Sequence, residues 1–203
     1  MIKNKIFGIG LNKTGTTSLG KAIANLGFDK HTSCNINLLR DYQNGNISSI
    51  LKLAEDYNNF EDWPWPLIYK DLYFEFPDSK FILTIRESPE VWFSSLCNHA
   101  KRTGPTEHRK IVYGYEMPQS KRSAHIRFYN FHNQSVTDFF NKQSPNNFLT
   151  VCWEKGDGYD KLCKFLDIDN CPSESFPHLN KSINQNNNFL MSTLSKIKRF
   201  VQK

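Results

Sequence analysis

The sequence predicts a three-layer α/β fold with a central parallel sheet flanked by helices. Three observations carry this expectation. Apolar runs of strand length recur along the chain, helical stretches separate them, and the first run passes through a polar, glycine-containing turn directly into a helix. Strand, tight loop and helix in that order open a parallel α/β unit.

Taken in order, Lys5-Ile6-Phe7-Gly8-Ile9-Gly10 is a short apolar run ending in glycine, the pattern of a strand buried on both faces. Ser18 to Leu26 puts Leu19, Ala22, Ile23 and Leu26 on one helical face, with Gly27 as the stop. Residues 35–60 read as mostly helical and polar. Asp62-Trp63-Pro64-Trp65-Pro66 must be irregular, because two prolines so close together fit neither a helix interior nor a central strand. Leu67 to Phe76 is a short helix stopped by Pro77. Lys80 to Arg86 is the clearest strand, its apolar centre bracketed by polar ends, and Pro89 then starts a helix that runs through Leu96. The basic, weakly patterned segment 97–124 reads as a surface excursion or lid. Ile126 to Phe140 returns to helical spacing, Asn147 to Trp153 is a third strand, and Tyr159 to Leu166 a helix. An asparagine-rich stretch then leads into a helical tail within 184–203.

A length of 203 residues suits one domain spanning 1–203 with a single substantial core. With 38% hydrophobic and 23% charged residues the chain falls among soluble globular proteins rather than disordered ones. The absence of any membrane-length apolar run or signal-peptide pattern makes a cytoplasmic location the expectation, with no membrane partner. A net charge of +6 favours polyanionic ligands. No arginine-rich tract or nucleic-acid module accompanies it, so nucleic acid is set aside. Five cysteines (Cys34, Cys97, Cys152, Cys163, Cys171) form no C-x-x-C pair, which fits neither a zinc site nor a disulfide framework. Cys152 and Cys163 are expected as small buried hydrophobes, and the compartment as reducing.

The most informative stretch is Gly10-Leu11-Asn12-Lys13-Thr14-Gly15-Thr16-Thr17-Ser18. Lying between a buried strand and a helix, it has the context of a phosphate-cradling P-loop. Glycines let backbone N–H groups turn inward, the helix N-terminus adds donors and positive dipole, and three hydroxyls follow. In an ATPase loop the lysine directly follows the second glycine. Here Thr16 follows Gly15 and the lysine stands two residues earlier, at Lys13. With Lys13-Thr14-Gly15-Thr16-Thr17 the chain resembles the sulfotransferases that use 3′-phosphoadenosine 5′-phosphosulfate (PAPS), in their short single-domain form. The resemblance implies a P-loop NTPase-like fold, PAPS as sulfuryl donor, PAP as product, and no metal.

It also implies roles for particular residues. Asn12, Lys13, Thr14, Gly15, Thr16, Thr17 and Ser18 would hold the phosphosulfate, with Lys13 acting on the leaving phosphate. Arg86, ending its strand, and Ser94, eight residues on, would hold the 3′-phosphate. Trp153 would lie against adenine, and Lys181 in Phe176-Pro177-His178-Leu179-Asn180-Lys181 would assist at the 3′-phosphate. Asp62 stands where many members of the family place a histidine base, two residues before a proline; as an aspartate it departs from that pattern and needs burial to raise its pKa. Glu61 and His132 are the competing bases. The acceptor is a small molecule or carbohydrate. Lys101, Arg102, His108, Arg109, Lys110, Lys121 and Arg122 would suit an anionic one, while Trp63, Trp65 and Tyr69 would suit an apolar one. A P-loop small-molecule kinase and a non-catalytic nucleotide-binding module are the alternatives.

Overall fold

The computed structural model describes residues 5–177; Lys181 and the tail helix expected within 184–203 lie outside the described residues. Five strands form one sheet among the described residues: β1 (Ile6–Gly8), β2 (His31–Thr32), β3 (Asn59–Phe60), β4 (Lys80–Thr84) and β5 (Phe148–Val151). Their order is β2-β3-β1-β4-β5, and every pairing is parallel. Eight α-helices surround the sheet among those residues: α1 (Thr16–Asn25), α2 (Ile36–Gln43), α3 (Ile47–Ala54), α4 (Tyr69–Glu75), α5 (Pro89–Thr103), α6 (Glu107–Tyr113), α7 (Arg122–Gln143) and α8 (Tyr159–Leu166).

The period-two alternation of strand side chains sorts the core into layers. Phe7 and Ile9 from the β1 segment, with Phe81 and Leu83 from β4, face α3, α4 and α7, joining Ile50, Leu72 and Phe140. Ile6 and Ile82 face the other way and pack with Leu19 and Ile23 of α1 and Leu162 of α8. A third apolar group, Leu11, Trp63, Trp92, Leu96, Tyr113 and Tyr129, gathers elements that follow the strands' C-terminal ends. The fold is therefore the expected α/β sandwich with helices on both faces of a parallel sheet.

Several elements differ from expectation in instructive ways. β2 and β3 are two-residue strands, too short to show a periodic pattern. β4 stops at Thr84, so Ile85 and Arg86 leave the sheet, and β5 stops at Val151, leaving Trp153 on a 3₁₀ turn. The excursion 97–124 is largely helical: α5 continues to Thr103, and Arg109, Val112 and Tyr113 of α6 are buried. Trp63–Pro64 is a cis peptide.

The cysteine expectation needs correction. Cys163 and Cys171 form a disulfide, with Cα atoms 5.8 Å apart. The left-handed residue Asp167 (φ 54°) ends α8, and the Ile168 N–H donates back to the Cys163 carbonyl at 2.9 Å. That reversal brings Cys171 back to the helix it left, a juxtaposition that spacing alone does not reveal. Cys152 is free and buried, as expected.

Candidate functional site

The topology decides where a site can form. From β1 the chain moves outward to β2 and β3 on one side, then crosses to β4 and β5 on the other. β1 is the switch point, and in such sheets the crevice opens beyond the C-terminal ends of the strands. The loop after β1, Asp62 after β3, Arg86 after β4 and Trp153 after β5 all lie there.

The loop is held from several directions. A Cβ at Gly10 would collide with Thr84 of β4, so only glycine lets the chain pass this close. Thr14 is fully buried, and its hydroxyl donates to the Leu11 carbonyl at 2.6 Å. Its single proton being used there, the Thr84 hydroxyl donates to Thr14 Oγ1 at 2.5 Å. The Asn12 carbonyl accepts from Trp92 Nε1 at 2.9 Å, and Asn12 Oδ1 from the Tyr113 hydroxyl at 2.6 Å. Lys13 (φ 69°) and Gly15 (φ 89°) both take left-handed backbone conformations, which turns the loop around an open centre. Gly15 caps α1 without a side chain, leaving the first turn of the helix facing that centre with no side-chain cap.

A cavity of about 690 Å³ opens over this loop. Asn12, Lys13, Thr14, Gly15, Thr16, Thr17, Ser18, Asp62, Arg86 and Trp153 all line it, so ten of the residues singled out from sequence converge on one space. Ser94 does not line it. That residue is exposed, and Ser95, one position on around α5, takes its place on the cavity wall. His99, Arg102, Thr103 and Glu154 also line the wall. The α5 residues of the wall follow helical spacing (95, 99, 102, 103), a signal present in the sequence only once the helix is known to extend past Leu96.

The charged groups divide into pairs and exceptions. Arg86 directs Nε to Glu154 Oε1 at 2.9 Å, closes the same ion pair with Nη2, and donates from Nη1 to the Lys13 carbonyl at 3.1 Å. The Tyr129 hydroxyl accepts the Arg86 backbone N–H at 2.9 Å. Burial of Glu154 is outweighed by these bonds and by the Glu87 N–H, which hold its pKa below the ordinary carboxylate value. Arg86 is thus paired with Glu154, while Glu90 faces Arg122 at 3.1 Å.

Asp62 sits in a left-handed conformation (φ 66°), its Oδ1 accepting the Trp63 N–H at 2.9 Å. Loss of solvent, helped by the neighbouring Glu61 charge, pushes its pKa up to about 7, against the opposing pull of the Trp63 N–H and Lys13. Burial, together with Arg102 and Arg86, moves the Lys13 ammonium below its usual range, with Asp62 opposing. The competing bases stand elsewhere. Glu61 is buried off the cavity, accepting from Ser33 and facing His31 at 3.6 Å; burial is outweighed by bonds from His31, Ser33 and Thr16, which lower its pKa. His132 is a buried helix residue whose Nε2 lies 2.9 Å from the Ile9 carbonyl, and burial pushes its pKa to about 4.

Trp153 leans on the loop: its Nε1 donates to the Gly15 carbonyl at 3.2 Å, and its ring packs on Phe176 with centroids 4.4 Å apart. Among the described residues no cluster of three or more histidine, cysteine or acidic side chains is arranged to hold a metal ion. No helix there is long and apolar enough to cross a membrane.

These are the positions that the resemblance seen in the sequence picks out: a glycine-turned loop at a helix N-terminus, a lysine within it, and an arginine just past the neighbouring strand. Comparison with protein families agrees: a sulfotransferase-domain family model matches residues 5–116 and 106–184. No curated protein matches the chain. Loop, sheet order and family match together make this chain a member of the sulfotransferase domain family.

Proposed function

We propose that the protein transfers a sulfuryl group from PAPS to a hydroxyl or amine of a small-molecule or carbohydrate acceptor, releasing PAP, by in-line displacement and without a metal. The observation that carries this is the convergence on one cavity of the Lys13 loop, Arg86, Trp153 and an aspartate whose pKa is raised to about 7. The loop N–H groups, with Thr16, Thr17 and Ser18, would bind the phosphosulfate. Arg86 would exchange part of its bond to Glu154 for the 3′-phosphate, assisted by Ser95 on the wall and Ser94 exposed beside it. Trp153 offers its ring to adenine, and Lys181 would add a further cation.

PAPS supplies the sulfuryl group and a good leaving group. Asp62, as carboxylate, takes the proton of the acceptor hydroxyl. The acceptor oxygen forms the new bond to sulfur while the bond from sulfur to the 5′-phosphate oxygen breaks. Lys13 and the loop N–H groups receive the charge left on that oxygen, and positioned charge of this kind carries much of the catalysis in related group transfers. In this assignment His99, Arg102 and Thr103, the residues of 97–124 that line the cavity, stand on its acceptor side within one domain.

Asp62→Asn tests the chemistry. Asparagine tolerates the left-handed backbone and keeps an oxygen for the Trp63 N–H. The turnover number in a labelled-PAPS assay against a metabolite pool should fall at least ~100-fold, a typical general-base contribution. PAP affinity should stay within about twofold. Full turnover in the variant would remove Asp62 from the reaction.

A further inference from the structure

We propose that the second half of α5 is a subsite for an anionic group on the acceptor, with Arg102 and His99 receiving a carboxylate while the acceptor hydroxyl faces Asp62. This rests on the sulfotransferase assignment and names its substrate class: small hydroxylated carboxylic acids.

Position comes first. Ser95, His99 and Arg102 follow one another at helical spacing along a single face of α5 and line the same cavity as Asp62 and the loop. At ~1.5 Å per residue Arg102 lies about 10 Å further along the axis than Ser95, away from the Arg86 end. The α5 wall therefore runs from the Arg86 end toward Arg102, whose charge is also felt at Lys13.

Of the three Lys and Arg side chains that line the cavity, Lys13 and Arg102 have no carboxylate partner, and Lys13 is already assigned to the donor. All 20 aspartates and glutamates of the chain fall between Asp29 and Glu174, inside the described residues, and none lies within ion-pair distance of Arg102. By contrast Arg86, the remaining cation of the wall, pairs with Glu154. Behind the wall Arg109 is buried with only neutral acceptors: the Glu116 carbonyl at 2.7 Å, Thr103 Oγ1 at 3.2 Å and the Gly104 carbonyl. Arg109 thus fixes Thr103, itself a wall residue, and adds a second guanidinium without a carboxylate.

His99 completes the subsite. Its Nδ1 is buried with no hydrogen-bond partner. Burial, followed by the charges of Lys13, Arg109 and Arg102, moves its pKa down to about 4, so the ring is neutral at physiological pH. A buried N–H without a partner is rarer than a buried lone pair without one, which puts the proton on Nε2. Nε2–H is then the donor left for a ligand beside the Arg102 fork, a pairing suited to a planar carboxylate. An anionic acceptor approaching an anionic donor needs such a cation to offset their repulsion.

The test uses the full chain saturated with PAP and titrated calorimetrically with glycolate, 4-hydroxybenzoate, 4-hydroxycinnamate and glucuronate, each beside its primary amide. At least one acid should bind ten times more tightly than its amide or better. Arg102→Gln should bring that ratio within twofold of one with PAP affinity unchanged, whereas Lys101→Gln, changing the adjacent cation that does not line the cavity, should preserve the preference. No preference for any acid, a preference that survives Arg102→Gln, or a tenfold loss of PAP affinity in Arg102→Gln would overturn the proposal, the last by assigning Arg102 to the donor. Failure of the unaltered protein to bind PAP would instead refute the donor assignment, and with it the subsite.

Discussion

Asp62 concentrates the residue-scale physics of the site. Its carboxyl is raised from 3.8 to about 7 chiefly by loss of solvent. As a base it works deprotonated, so the turnover number should rise with pH and level off above about 7. A flat profile from pH 5 to 9 with chemistry rate-limiting would contradict the assignment. The same shift bears on stability. The unfolded chain releases this proton near 3.8 and the native chain near 7, so native Asp62 grows more unfavourable as pH rises through that window. Asp62→Asn should therefore be more stable than the unaltered protein at pH 8 by about 1–2 kcal/mol, allowing for cavity water, and equal to it at pH 4. Differential scanning calorimetry at the two values measures this. Residue types with a fixed offset from a motif were legible in the sequence: the loop, Arg86, Trp153 and Asp62. His99 was not, because one histidine in a basic stretch carries no spacing signal until the helix beneath it is known. Ser94 missed the wall because adjacent residues on a helix point about 100° apart, which gives the place to Ser95.

At the scale of elements, the loop after β1 is shaped by its neighbours as much as by its own glycines. Gly15 is required twice, by its φ of 89° and because a Cβ there would strike the Trp153 indole. Gly15→Ala should weaken PAP binding at least tenfold, about 1.4 kcal/mol, and alter the tryptophan emission as Trp153 is displaced. Unchanged affinity and emission would show that the loop does not depend on this contact. Elements with long apolar runs or clean helical spacing, such as β4 and α8, were readable from sequence. β2 and β3 were not, since two-residue strands are specified by their partners: Asn59 pairs with Ile6 and His31, and Phe60 with Phe7 and Thr32. α6 was hidden for another reason. Its buried face includes Arg109 and Tyr113, polar residues satisfied by carbonyls and by Asn12, so hydropathy alone reads the segment as exposed.

Across the whole molecule, the sheet order sends the ends of β1, β3, β4 and β5 toward one crevice, which is why residues as distant in sequence as Lys13 and Glu154 share a wall. The segment beyond α8 is tied back by the Cys163–Cys171 disulfide and places Phe176 against Trp153. A disulfide sits uneasily with the expected reducing compartment. Closing so short a loop contributes about 2–3 kcal/mol, so adding a strong reductant to oxidised protein should lower the melting temperature by several degrees. No shift would mean that the segment stays packed as thiols. The central claim, that this crevice is a PAPS site, is tested most directly by calorimetric titration with PAP beside magnesium-ATP. Selective binding of PAP, abolished by Arg86→Ala, is the expected result; preference for magnesium-ATP, or binding of neither, would contradict it.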